Sequence, residues 1–264
     1  MTDWALAQHR QQAIYQRLLT AQGCTTRALA AWFGTSTMTI RRDLEVLERQ
    51  GLLQRVHGGA VIAHNDLPYL TRHEQFSVQK DAIGVQAAKL VQDGMTVFFD
   101  SGTTSMAVAR ALMGRSDLSF TVVTHALNVA YLFTLPKRQR VIVIGGEVYE
   151  NSLGTASSTA IQQLGELNYD LFFMGTCGVD VKAGLTNTNV PEAHLKQEVH
   201  ARSARTILIA DHHKWPLRAL APILPLSAVG TWVSDAGLPA PAREYAASLG
   251  VEVITAPPAK ETSA

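Results

Sequence analysis

Ser36-Thr37-Met38-Thr39-Ile40-Arg41-Arg42-Asp43-Leu44 decides how the first quarter of the chain is read. Ile40, Leu44 and, beyond the quoted stretch, Leu47 recur at helical spacing and form one apolar stripe. Ser36 stands where an N-cap belongs and Gly51 where a helix closes, which predicts a helix from Thr37 to about Gln50. The opposite side of its first turns carries Thr37, Thr39, Arg41 and Arg42. Arginine grips a guanine edge with two parallel hydrogen bonds, while Ser and Thr hydroxyls reach phosphates or bases.

Upstream, Ile14, Leu18 and Leu19 predict a first helix over about residues 5–21, ended at Gly23. Thr26 reads as the N-cap of a short second helix burying Leu29, Ala30 and Phe33, and Gly34 supplies the turn that follows. Downstream, Leu52–Val56 and Ala60–Ile62 read as two strands joined by His57-Gly58-Gly59. Two helices, a glycine turn, a helix with a cationic N-terminal end and a hairpin wing make a winged helix-turn-helix over residues 1–62. On the wing, Arg55 and His57 are expected to lean on the sugar-phosphate backbone, and Gly58 to let the chain approach it.

Charge agrees with that placement. Residues 1–60 hold seven arginines against four acids, an excess of +3, although the whole chain carries only +1. The other 204 residues therefore sum to −2, so the cationic surface sits in the segment expected to touch phosphates. With 47% hydrophobic and 17% charged residues the composition is that of a globular protein. No apolar run is long enough for a membrane helix, and the N-terminus has no signal-peptide pattern. Cys24 and Cys177 are isolated, which suits a reducing compartment, so the expected location is the bacterial cytoplasm.

Residues 63–80, with Pro68 and no steady periodicity, are expected to form a linker. From residue 81 to 255 apolar strands alternate with helices, which predicts an α/β domain with a largely parallel sheet covered on both faces. The proline-rich end, residues 256–264, is expected to be a disordered tail. In such a sheet ligands bind beyond the carboxyl ends of the strands. One predicted strand end is Asp100-Ser101-Gly102-Thr103-Thr104, opening a helix. Its hydroxyls and free helix amides suit a phosphate, and they suit ordinary N-capping equally. Other strand ends bring His125, Gly146, Gly178 and Asp180, followed by a loop to Glu192, and then Asp211 to Lys214. Carboxylates there accept from sugar hydroxyls and Lys196 or Lys214 neutralises phosphate, or each belongs to a surface ion pair. His212-His213, read in a strand, face opposite sides and lack a partner cysteine or a metal-binding spacing, so no metal site is expected.

The run from Ser36 to Leu44, with Leu47, Gly51, Leu52 and Arg55-Val56-His57-Gly58-Gly59-Ala60, resembles the signature of the deoxyribose-operon-repressor (DeoR) family of bacterial sugar-metabolism regulators. The resemblance continues through Lys80, Asp100-Ser101-Gly102-Thr103-Thr104, Gly145-Gly146, Gly175, Gly178 and Asp211…Lys214-Trp215. It implies DNA contacts at Ser36, Thr37, Thr39, Arg41 and Arg42. It also implies a sensor domain related in fold to ribose-5-phosphate isomerase that binds phosphorylated sugars. The effector candidates it gives are Asp100, Ser101, Gly102, Thr103, Thr104, Gly146, Gly178, Glu192, Lys196 and Lys214. His125 stands where many members have asparagine, and His212-His213 where a serine is frequent.

The expected function is a DNA-binding transcription regulator, a repressor of a carbohydrate operon, answering to a phosphorylated sugar and needing no cofactor. The expected partners are double-stranded operator DNA and the sugar phosphate, in a homodimer or homotetramer that presents paired recognition helices. The alternative is a sugar-phosphate isomerase with an accessory DNA-binding domain. The two differ in one measurement, turnover of an aldose phosphate.

Overall fold

The computed structural model describes residues 7–21, 23–49, 52–56, 58–62, 69–134 and 139–257. The chain divides into two compact units, Met1–Leu67 and Pro68–Ala264.

In the first unit α1 (Ala7–Ala21), α2 (Thr26–Phe33) and α3 (Thr37–Arg49) bury Ile14, Leu18, Leu29, Phe33, Ile40, Leu44 and Leu47 in one core. A short strand β1 (Gly23–Thr25) pairs antiparallel with β3 (Gly59–Ile62), which also pairs with β2 (Leu53–Val56). The cap of α2 is Thr25 and not Thr26: the Thr25 hydroxyl accepts from the Ala28 amide at 3.1 Å. The shift follows from β1, which sequence reading did not foresee and which carries the chain in extended form up to Thr25. Gly34 takes φ +62°, the left-handed turn that separates α2 from α3. Ser36 caps α3 by accepting from the Thr39 amide at 3.1 Å. The expected closing residue Gly51 and the wing residue His57 lie outside the described residues.

The second unit begins with two helices where a linker is expected, α4 (Tyr69–Glu74) and α5 (Ser77–Ala88). Their stability comes from tertiary contacts that a periodicity scan does not see. Tyr69 is buried, and the Lys80 ammonium donates to the carbonyls of Arg72 and Gln75, capping the end of α4. The strand–helix alternation then follows as β4 (Thr96–Phe99), α6 (Thr103–Met113), β5 (Thr121–Thr124), α7 (Leu127–Thr134) and β6 (Arg140–Val143). A small hairpin comes next, β7 (Val148–Tyr149) with β8 (Gly154–Thr155), and then α8 (Ser158–Leu164) and β9 (Tyr169–Met174). Beyond β9 the expected loop to Glu192 contains β10 (Gly178–Asp180) and β11 (Gly184–Asn187) before α9 (Val190–Ala201). The chain ends with β12 (Ser203–Ile209), β13 (Ala221–Leu224), β14 (Thr231–Asp235), α10 (Ala240–Ser248) and β15 (Glu252–Ala256). Ala256, read as the start of a tail, is buried at the end of β15; residues 258–264 lie outside the described residues.

Seven strands form one sheet in the order β15-β14-β12-β9-β4-β5-β6, every neighbouring pair parallel. Phe98 and Phe172 point to one face and Phe99 and Phe173 to the other, so the central strands β4 and β9 are covered on both sides. Each such buried aromatic contributes about 1.5–3 kcal/mol through the area it removes from water. A second, antiparallel sheet, β10-β11-β13, lies apart from the main one. No described helix is long and apolar enough to cross a membrane.

Candidate DNA interface and effector crevice

On α3 the apolar stripe is buried and Thr37, Arg41 and Arg42 are exposed, with Thr39 partly so. Ser36 Oγ also lies 2.9 Å from Thr39 Oγ1, which draws the two hydroxyls together at the start of the helix. Behind them Asp43, buried within α3, accepts from Arg10 Nε at 2.6 Å and from Gln11 at 3.0 Å, tying the helix to α1. Sequence reading passed over Asp43; its position on the inner side of a charged run is the available signal. Gly58 is exposed in the wing turn at φ +80°. Arg55 is exposed but engaged: its guanidinium meets Glu48 at 2.6 Å and Glu45 at 2.9 Å.

In the second unit four neighbouring strands, β12, β9, β4 and β5, end side by side, and the polar residues gather there. Asp100, fully buried just past β4, is the hub. Its Oδ1 accepts from the Ser101 amide at 2.9 Å, and its Oδ2 accepts from the Gly175 amide at 2.9 Å and pairs with Lys196 at 2.8 Å. Lys196 reaches it from α9 and also donates to the Gly175 carbonyl at 2.9 Å. His125 is equally buried. Its Nδ1 lies 2.7 Å from the Thr155 carbonyl, which only accepts, so Nδ1 carries the proton. Its Nε2 lies 3.2 Å from Asp100 Oδ1 and 3.2 Å from the Ser101 amide nitrogen. Burial opposes ionisation of Asp100, but Lys196 and His125 outweigh it and hold the carboxyl well below the usual range. Burial likewise works against the Lys196 charge, and Asp100 more than restores it.

Gly102 is the N-cap of α6, and a Cβ built on it meets nothing within 4 Å. Thr103, Thr104 and Ser105 follow, all buried, and the Ser105 hydroxyl has no hydrogen-bond partner. Glu192 accepts from Asn187 on one oxygen, while its other oxygen, Oε1, is buried without a partner. Past β12, Asp211 accepts from the His213 amide at 3.0 Å, and its Oδ2 is likewise buried and unpartnered. Burial opposes its ionisation, but the hydrogen bond to the His213 ring, with the charges of Lys214 and Lys80, outweighs that penalty and holds the carboxyl well below the ordinary range. Burial pushes the Lys80 ammonium down to about 7, with Asp211 opposing the shift.

Three expected residues also make close local contacts. Asp180 accepts from the amides of Lys182 and Ala183 and shapes the β10–β11 turn. Gly178 packs under the Leu217 carbonyl, 2.3 Å from where a Cβ would stand. Gly146 makes room for Ser157, at 2.7 Å from its would-be Cβ. His212 and His213 sit in a 3-10 turn and not in a strand, with rings 3.7 Å apart. His212 pairs with Asp235 at 2.6 Å and His213 with Asp211 at 3.2 Å. The described residues hold no group of three or more side chains fit to bind a metal. A cavity of about 450 Å³ lies among Val181, Lys182, Pro222, Leu224, Pro225 and Tyr245, and none of the strand-end residues lines it.

Two family models match: the DeoR-like helix-turn-helix domain over residues 10–66 and the DeoR C-terminal sensor domain over residues 75–236. The chain belongs to the DeoR family. It is 32% identical to the HTH-type transcriptional regulator GlpR of Haloferax volcanii, over 94% of this chain and 98% of that protein. It is 31% identical to the glycerol-3-phosphate regulon repressor of Escherichia coli, over 81% of this chain and 85% of the relative. Transcriptional repressor AccR of Agrobacterium fabrum is 32% identical, over 87% and 90% of the two chains. The DeoR-family chain is therefore a DNA-binding transcription regulator, and the regulator reading prevails over the enzyme alternative. Among solved structures, ribose 5-phosphate isomerase A from Methanocaldococcus jannaschii superposes on 51% of this chain and 52% of its own. The TM-score is 0.38 at 16% identity, too slight to carry any argument about chemistry.

Proposed function

We propose that this DeoR-family regulator represses a carbohydrate-metabolism operon and that a phosphorylated sugar or polyol, bound at the ends of β4, β5, β9 and β12, sets its grip on operator DNA. The observation that carries the reading is the pair of buried, unpartnered carboxylate oxygens, Glu192 Oε1 and Asp211 Oδ2. A buried acceptor without a donor is costly, and ligand hydroxyls supply the donors both carboxylates lack. The open start of α6 above Gly102, with Thr103 and Thr104, accepts the phosphate. Relatives named for a glycerol-3-phosphate regulon agree with an effector of this size and charge.

Asp100, His125 and Lys196 shape the crevice and do not touch the ligand. Their polar atoms are committed to one another and to Ser101, Thr155 and Gly175. Ser36, Thr37, Thr39, Arg41, Arg42 and Gly58 meet the operator, and a homodimer or homotetramer in the cytoplasm presents them as pairs. The effector acts only if it binds one arrangement of the assembly more tightly than another.

The test is a footprint on DNA upstream of the protein's own gene, with glycerol 3-phosphate, aldose and ketose phosphates, the unphosphorylated compounds and inorganic phosphate. Altered protection by a phosphorylated compound alone is the expected result. Protection indifferent to every compound, or turnover of an aldose phosphate, overturns the proposal.

A further inference from the structure

Arg55 lies on wing strand β2, where its charge suggests a phosphate contact, yet its backbone amide, its Nε and its Nη1 all turn to carboxylates of the recognition helix. Its amide donates to Glu48 Oε1 at 2.9 Å, its Nε to Glu48 Oε2 at 2.6 Å and its Nη1 to Glu45 Oε1 at 2.9 Å. Glu45 and Glu48 are three residues apart on α3 and so adjacent on its surface, continuing the strip that begins at Thr37 and Arg41. Two carboxylates set against one guanidinium already match the charge that a phosphate contact would otherwise neutralise, and Arg49 lies beside them, its Nε reaching the Glu45 carbonyl at 3.3 Å. The pairing also holds Glu48 below its ordinary range, through the Arg55 amide first and then its side chain, and holds Arg55 above its own.

We propose that Arg55 is a positioning residue that braces the wing against the C-terminal half of α3, fixing the angle at which the Gly58 turn meets DNA, and that it contacts no phosphate itself. An exposed ion pair contributes little to folding, so the brace shows in DNA binding more than in stability.

The test compares R55Q, R55K and R42Q in the full-length chain, using a labelled random-sequence duplex and a duplex from upstream of its own gene, each titrated with salt. Losing a phosphate contact lowers the slope of log affinity against log salt by about one. The expected result is that R42Q shows this loss, while R55Q binds several-fold more weakly with an unchanged slope. R55K separates the two roles again. Lysine keeps the charge that attracts phosphate but cannot hold both carboxylates from one planar fork. The brace predicts that R55K binds about as weakly as R55Q on the upstream duplex. A slope lowered by about one in R55Q, or near-wild-type binding by R55K, overturns the proposal.

Discussion

Asp100 accepts from two backbone amides, lies beside His125 and pairs with Lys196, all out of contact with solvent. Replacing it with asparagine keeps the shape and removes the charge, leaving the Lys196 ammonium buried without its counter-ion. Asp100→Asn is expected to destabilise the chain by about 3–5 kcal/mol in urea unfolding at neutral pH. The folded Asp100 pKa is depressed, so its contribution is present above the unfolded carboxylate value of about 4 and is lost as pH falls below it. The gap between wild type and D100N is therefore expected to narrow on acidification. Gly102 has an ordinary φ of −73° and open space around its missing side chain, so Gly102→Val is expected to fold normally and lose the effector response. A footprint of this variant that still changes with sugar phosphate places the phosphate elsewhere. At the DNA face, Arg41→Ala is expected to weaken operator binding by about 1–3 kcal/mol, read by fluorescence anisotropy, with effector binding intact.

Among the elements, the short turn that carries His212 is held by an ion pair with Asp235. The Asp235 carboxylate raises the His212 pKa against the opposing effect of burial. A raised histidine value means stability that is fully present below its unfolded value of about 6.5 and lost as pH rises through the folded one. His212→Gln is therefore expected to lower the melting temperature most in mildly acidic buffer and least in alkaline buffer. A pH-independent difference shows that His212 acts by shape alone. The head's helices and wing hairpin, though not β1, were legible in sequence because they are marked locally: Ser36 before α3, Gly34 before the turn, and the Ile40, Leu44, Leu47 stripe within it. The strands of the main sheet were legible as apolar runs between turn residues. What escaped is held by distant partners. The β10-β11-β13 sheet pairs Leu185 with Leu224 and contains Pro222. Helix α4 spans only six residues and leans on Lys80. The crevice was legible as a set of strand ends, but not its division of labour. Spacing places Asp100, Asp180 and Glu192 near turns, but it is the folded chain that saturates Asp100, sets Asp180 to shape a turn and leaves one Glu192 oxygen free.

For the molecule as a whole, the two units have separate cores, the head's around Ile14, Leu29 and Ile40 and the sensor's on the two faces of its sheet. Two unfolding transitions are expected in calorimetry, and a ligand at 100 times its dissociation constant adds roughly 2.7 kcal/mol to the sensor transition alone. Equal shifts of both transitions count against separate units. The order in which strands lie in the sheet also sets an order in time. Among the described residues the head's core closes with Ala60, whereas β4, laid down early, must wait for β9 before its inner edge is paired, and Asp100 waits for Lys196. A ribosome adding about 5–20 residues per second needs on the order of ten seconds to cross that interval. Throughout it the nascent chain carries a head whose core is closed beside a sensor sheet that still lacks its central partner strand.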